Sequence, residues 1–236
     1  AQYIGQRNKE KANESARQVL FIITAISVAV SLICLVFQKP LLRLIFGSVE
    51  PAVMRASETY FFYTALSFPF IAAYDSAASI FRAQDNTKGP MIISMISNVM
   101  NIGGNAILIW VFHLGVAGAA IATVISQIVS CLFVLGCLFS KRMPVRLGWG
   151  DFHLRVMKRI VTFGFSPFLI LASDSILLIV LNTVLQRYGG PGEGDTLVTC
   201  ATIVQSYLLL ITMPMGGITL GSQPVVSFNY GKGDAE

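Results

Sequence analysis

Charge is scarce in this 236-residue sequence, because Lys, Arg, Asp and Glu together make up only 12% of it. Soluble domains usually contain roughly 25% charged residues. Hydrophobic residues make up 54% of the chain, and the mean hydropathy is +0.69. The net charge of +5 could suggest nucleic acid, but the basic residues occupy short segments between apolar runs. The composition therefore predicts a membrane protein that does not bind nucleic acid.

Histidine and cysteine are also rare, with two and four residues respectively, and they form neither a CxxC pair nor a histidine cluster. Structural zinc and disulfides are therefore not expected. Ser/His/Asp, phosphate-loop and dinucleotide signatures are missing as well. We therefore expect neither an enzyme nor a protein with a bound cofactor.

Six apolar stretches dominate what remains, and each is long enough for a transmembrane helix, which needs about 20 residues to cross about 30 Å of hydrocarbon. The fold class predicted is all-α, a polytopic membrane bundle of six transmembrane helices. The predicted spans are residues 19–37, 59–81, 91–112, 115–139, 160–185 and 197–228.

Basic residues are distributed unequally between the two sides of these spans. The segments 1–18, 82–89, 140–159 and the tail after residue 230 contain 13 of the 17 lysines and arginines. The other side has four, namely Lys39, Arg43, Arg55 and Arg187. Because basic residues favour the cytoplasmic side, we expect a multi-pass protein of the plasma membrane with both ends of this chain in the cytoplasm.

The two ends of the chain resemble each other. Residues 5–10 (GQRNKE) are similar to residues 231–236 (GKGDAE), and both stretches are positioned to follow a span into the cytoplasm. The match implies a structural repeat of 226 residues, of which this chain contains one period out of phase. On this interpretation the chain is a fragment.

Three segments resemble the multidrug and toxic compound extrusion (MATE) transporters, in a branch related to MepA-type exporters. They are residues 81–91 (FRAQDNTKGPM), residues 101–105 (NIGGN) continued by 115–123 (GVAGAAIAT), and residues 223–231 (QPVVSFNYG). The resemblance implies that the six spans are helices three to eight of a twelve-helix, two-lobe fold. Residues 1–140 would be four helices of the N-lobe, 141–159 the cytoplasmic inter-lobe loop, and 160–236 the first two helices of the C-lobe.

The resemblance further implies a secondary antiporter that exports organic cations in exchange for protons or sodium by alternating access. Its partners would be small organic cations and the lipid bilayer, and the full-length protein would be a monomer. Two alternatives stay open. One is a lipid-linked precursor flippase of the same superfamily, which usually has fourteen spans. The other is a membrane scaffold or receptor that transports nothing.

Asp174 is the strongest candidate for cation coupling. It lies near the middle of the fifth predicted span, where a carboxylate is costly unless it is paired, hydrated or protonated. Such a group can serve as a proton or sodium relay, although it could also be a structural carboxylate capped by Ser173 or Ser175. The resemblance supports the relay, because NorM-like members have an acidic residue ten positions after a glycine, as in Gly164 and Asp174.

Asn98, Asn101 and Asn105 recur at helical spacing and are predicted to share one face of the third span. Amides inside a membrane need internal partners, because lipid supplies none. In the resembling family, the Asn101 position, an Asp four residues later and a Thr at Thr123 form a cation site. Asn105 replaces that Asp, which weakens the case for direct proton binding here.

Four polar residues are candidates for the substrate path, namely Asp75, Asn98, Gln127 and Gln205. Asp75 lies nearer the cytoplasmic end of its span and could equally be hydrated or paired. Each glutamine could instead stabilise helix packing through a hydrogen bond. The small-residue pairs Gly115/Ala119 and Gly118/Ala122 are interpreted as positions where helices approach closely.

Overall fold

The structure, a computed structural model, describes residues 1–46, 51–140, 153–189 and 193–233. Every regular element in these ranges is helical. The α-helices are α1 (Gln2–Gly5), α2 (Lys9–Val36), α3 (Gln38–Phe46), α4 (Pro51–Ala83), α5 (Lys88–Ala106), α6 (Gly115–Leu138), α7 (Leu154–Tyr188) and α8 (Gly194–Lys232), and a π-helical turn, Ile107–Val111, continues α5.

Five helical segments are both long and apolar enough to cross a membrane. They are Lys9–Val36, Lys88–Val111, Gly115–Leu138, Leu154–Leu185 and Thr196–Lys232. These segments match five of the six predicted spans. The remaining one, residues 59–81, lies within the 33-residue helix α4, which is not among the five. Helix α4 is long enough for the predicted span but less apolar than the other five.

Helix α4 is less apolar because it lies at the centre of the helix packing, in contact with both α2 and α6. Ala65 and Ala77 are fully buried, and Ser67 and Ser76 are buried beside them. A helix surrounded by other helices does not need an apolar surface on every side, so small and polar residues are tolerated there. The buried cluster of α2, α4 and α6 contains Ala12, Ala16, Ala77, Ile80, Phe81, Val134 and Leu138.

Small residues set the close approach of α5 and α6. A Cβ added to Gly118 would lie 3.0 Å from the Leu108 carbonyl oxygen, and one added to Gly104 would lie 3.2 Å from Ala122 Cβ. Packing through the Gly118/Ala122 pair is therefore confirmed. Gly115 instead faces open space with a φ of +53°, so as the first residue of α6 it allows the turn into this helix and makes no helix contact.

The turns α1–α2 and α4–α5 have the same construction. In each, one residue adopts a left-handed conformation (Arg7, φ +56°; Asp85, φ +61°), and the asparagine that follows caps the next helix. Asn8 Oδ1 accepts a hydrogen bond from Lys11 N, and Asn86 Oδ1 accepts one from Gly89 N, both at 3.1 Å. Each asparagine thus satisfies a backbone donor of the first helical turn.

The chain divides into two compact units, residues 1–152 with 227–236, and residues 153–226. The predicted inter-lobe segment 141–159 lies outside the described residues up to 152, and α7 begins at Leu154 within it. The last turns of α8 cluster with the first unit, although the sequence assigned them to the second lobe. The assignment of lobes stays a prediction.

Candidate functional site

A network of uncharged polar side chains joins α5 to α6. Asn101 donates hydrogen bonds from Nδ2 to Thr123 Oγ1 (3.1 Å) and Ser126 Oγ (3.4 Å). Asn105, one turn further along α5, donates from Nδ2 to Asn101 Oδ1 (3.1 Å). The structure therefore brings together Asn101, Asn105 and Thr123, the three residues that the resemblance assigned to one cation site.

The hydroxyl groups of this network direct their protons to backbone carbonyls. Thr123 Oγ1 donates to Ala119 O (2.9 Å), and Ser126 Oγ donates to Thr123 O (2.8 Å). Their oxygen lone pairs are therefore left for the Asn101 amide. Sequence reasoning missed Ser126, although its spacing of three residues from Thr123 places both hydroxyls on the same face of α6.

Asn105 Oδ1 is buried and has no hydrogen-bond donor among the described residues. A buried acceptor without a partner costs roughly 1–3 kcal/mol. Uncharged carbonyl oxygens are hard ligands suited to hard cations, so this atom offers a position for a cation or a bound donor. Because every group in the network is uncharged, the network can supply oxygen ligands but cannot itself take up a proton.

The π-helical turn Ile107–Val111 begins two residues after Asn105. It is closed by a wide hydrogen bond from Phe112 N to Ile107 O (3.2 Å). Such turns occur frequently at functional sites because they shift the helix register locally. Here the turn ends α5 directly beyond the polar network.

The remaining polar candidates of these two helices behave differently from one another. Asn98 is exposed and forms no hydrogen bond within the described part of the chain, so it lies outside the network, and its role in a substrate path stays a prediction. Its place in the network is taken by Ser97, which donates to Ser126 O (3.1 Å). Gln127 is half-buried, and its Oε1 is a second buried acceptor without a donor among the described residues.

Asp174 lies on α7 in the second unit, whereas the α5–α6 network lies in the first. Its side chain is exposed, with no hydrogen bond or ion pair to another described residue. Ser175 donates its hydroxyl proton to Leu171 O (2.9 Å), on its own helix, so it does not cap the carboxylate. Gln205 on α8 is half-buried and has no hydrogen bond within the described ranges.

Asp75 opens into a groove of about 560 Å³ between α2 and α4. It is the one ionisable group among the described residues that line this groove. Arg82, seven residues further along α4, is the basic residue whose charge acts on it. The rest of the groove is mainly apolar, with walls formed by Ile23, Ile26, Val30, Phe68 and Ile71.

Large apolar side chains are exposed along the spanning helices, as at Trp110 (76%) and Leu154 (80%). Exposed apolar surface on this scale is not tolerated in water, but it is what a bilayer solvates. The fold and the internal polar network together define a multi-pass membrane protein of the all-α helix-bundle class.

Comparison with known proteins agrees with this class. The MatE family model matches residues 1–107. Protein DETOXIFICATION 42 of Arabidopsis thaliana is 26% identical over 96% of this chain and 42% of its own length. The multidrug export protein MepA of Staphylococcus haemolyticus is 23% identical over 96% of this chain and 49% of its own length. The chain is thus similar to MATE proteins, as its sequence motifs predicted.

Solved structures show the same fold. A MOP-superfamily transporter of Pyrococcus furiosus superposes with a TM-score of 0.89 and 24% identity, over 99% of this chain and 51% of that one. The chain thus spans about half the length of the proteins that it matches. The matched relatives are described as export or extrusion proteins, and the resemblance to MepA predicted from sequence is confirmed.

Proposed function

We propose that this chain is half of a secondary antiporter that exports organic cations in exchange for sodium or protons by alternating access. The observation that supports this most directly is the buried, donor-free Asn105 Oδ1 at the end of the α5–α6 network. Polar groups inside a membrane are energetically costly, and they mark ion and substrate pathways.

The two coupling candidates suit different ions. The network of Asn101, Asn105 and Thr123 offers neutral oxygens, which favour sodium over a proton. Asp174 is a carboxylate with no partner in the described part of the chain, and it can take up either ion. Occupancy of these groups by the inward-moving ion would weaken the hold on the substrate, and release of the ion would restore it.

Organic cations are the proposed substrates because the Asp75 groove combines apolar walls with one carboxylate. Apolar surface accommodates the hydrocarbon part of an amphipathic cation, and the carboxylate compensates its charge. The relative MepA is described as a multidrug export protein, which agrees with such a substrate class. Nucleic acid has no role in this proposal, and the full-length protein would act as a monomer in the plasma membrane.

A lipid-linked precursor flippase of the same superfamily is the second candidate for transport. A flippase would move a lipid headgroup and would not need a buried cation ligand such as Asn105 Oδ1. The full gene length separates the two, since twelve spans favour the exporter and fourteen favour the flippase. A scaffold or receptor has no use for a donor-free amide oxygen beside a polar network.

Counterflow in proteoliposomes tests the proposal for the full-length protein. Vesicles are loaded with an unlabelled ethidium-like dye and diluted into a trace of labelled dye. We expect transient accumulation of the label, because a carrier exchanges substrate for substrate. Uptake equal to that of protein-free vesicles would favour a scaffold, and exchange of a lipid-linked sugar but not of the dye would favour the flippase.

A further inference from the structure

The two ends of the chain meet through glycine. Gly5, at the end of α1, is buried, and a Cβ added to it would overlap the carbonyl oxygen of Phe228 near the end of α8. A Cβ added to Gly231 would in turn overlap the carbonyl oxygen of Gln2. The backbones of α1 and of the last turns of α8 therefore touch directly, within the first compact unit.

This contact is reciprocal under the 226-residue offset that relates the chain ends. The offset pairs Gln2 with Phe228 and Gly5 with Gly231. Gly5 contacts Phe228. Gly231, which the offset pairs with Gly5, contacts Gln2, which the offset pairs with Phe228. A contact in which residue i touches j′ and j touches i′ is the signature of a two-fold axis. The two helix ends are thus related by a local two-fold within one chain.

The backbone repeats in the same way as the contact. Arg7 N donates to Ile4 O (2.9 Å), and Gly233 N donates to Tyr230 O (3.3 Å), which is the same bond moved by 226 residues. Arg7 and Gly233 also share a left-handed conformation, with φ of +56° and +86°. The matched turns and the reciprocal contact agree with the repeat that the similar chain ends indicated.

We propose that this reciprocal glycine contact is a gate, closing one side of the transporter and separating each time the substrate path opens to that side. The proposal rests on the alternating-access function above. The contact lies next to the basic segments, on the side predicted to be cytoplasmic. It is therefore the cytoplasmic gate of the proposed cycle.

The chemistry of the contact suits a gate that must open repeatedly. Glycine allows the backbones to meet without interlocking side chains, and the interactions that remain are dispersion and weak Cα–H···O contacts. Each of these is small, so the closed and open states can be close in free energy. A methyl group at either glycine would hold the two helix ends apart, because the atoms that it meets are backbone atoms.

Glycine-to-alanine variants of the full-length protein test the gate. Spin labels at Lys9→Cys and Asn229→Cys, in a background without the native cysteines, report the distance between the helix ends. We expect Gly5→Ala and Gly231→Ala each to lengthen and broaden this distance. Gly136→Ala and Gly221→Ala, which face open space, should leave it unchanged. Equal distances in all four variants would overturn the proposal.

A cleavable crosslink between the same two cysteines tests the gate with both glycines intact. We expect the crosslink to reduce dye efflux to the level of protein-free vesicles, and cleavage to restore it. Efflux that continues through the crosslinked protein overturns the gate alone. An absence of efflux before crosslinking overturns the proposed function, and the gate with it, so the two failures are distinguishable.

Discussion

Asn101 donates two hydrogen bonds across the α5–α6 interface, to Thr123 Oγ1 and Ser126 Oγ, and accepts one from Asn105. Asn101→Ala should therefore destabilise the protein by about 1–2 kcal/mol, since interhelical hydrogen bonds in membranes contribute about 0.6–2 kcal/mol each. It should also remove the rise in melting temperature that bound sodium produces. Thermal unfolding in detergent, with and without sodium, measures both effects.

Asn98→Ala is the matched control, because Asn98 lies on the same helix, is exposed, and has no hydrogen bond within the described residues. Its melting temperature and its response to sodium should equal those of the wild type. If the two variants lose the sodium response to the same extent, the α5–α6 network is not where the ion binds.

Replacement of Asp75 by asparagine removes the charge from the α2–α4 groove and nearly preserves its shape. We expect the KM for a cationic dye to rise about tenfold, the equivalent of about 1.4 kcal/mol, while the KM for an uncharged analogue stays the same. Ser27→Ala, in the same groove, should change neither value. Equal changes for the charged and the uncharged substrate would indicate a structural role for Asp75.

Two glycines of α6 should respond in opposite directions to alanine. Gly136 faces open space, so Gly136→Ala should stabilise the helix by up to about 1 kcal/mol. A Cβ at Gly118 would lie 3.0 Å from the Leu108 carbonyl oxygen, so Gly118→Ala should lose that gain and destabilise the α5–α6 contact. Melting temperatures in detergent compare the two, and equal shifts would contradict the close packing.

The orientation of the chain in the membrane is open to a direct test. Lys9→Cys, on the basic side, should react with a membrane-impermeant maleimide only after cells are permeabilised. Arg55→Cys, on the opposite side, should react in intact cells. Both positions are exposed, at the ends of α2 and α4. The reverse pattern would place both ends of the chain outside the cytoplasm.

Apolar length and residue spacing account for most of what the sequence predicted correctly. Five helices contain the stretch of about 20 apolar residues that is needed to cross a bilayer. Such a stretch can be recognised from composition alone. Helix α4 departed from this rule because it packs against both α2 and α6, and no single sequence reveals which helix is central. The amphipathic helix α3 was missed, since nine residues are too few to be recognised as a span.

Helical spacing also predicted which candidate residues share a face, but not how deeply each is buried. Asn101 and Asn105 form one network as expected, whereas Asn98 on the same face is exposed. The burial of a side chain depends on where the neighbouring helix crosses. The spacing of residues along one helix carries no information about that crossing point. The Gly5–Phe228 and Gly231–Gln2 contacts join residues more than 220 positions apart, so only three-dimensional structure could reveal them.

Gradient-driven efflux from proteoliposomes tests the central claim, cation-coupled export, most directly. With the full-length protein and an ethidium-like dye, an opposing sodium or proton gradient should drive export, and dissipating that gradient should stop it. Asp174→Asn should abolish the driven efflux while membrane insertion stays intact, whereas Ser175→Ala, whose hydroxyl bonds only to Leu171 O on α7, should retain it. Wild-type efflux in Asp174→Asn would contradict the role of Asp174, and efflux indifferent to both gradients would contradict antiport itself.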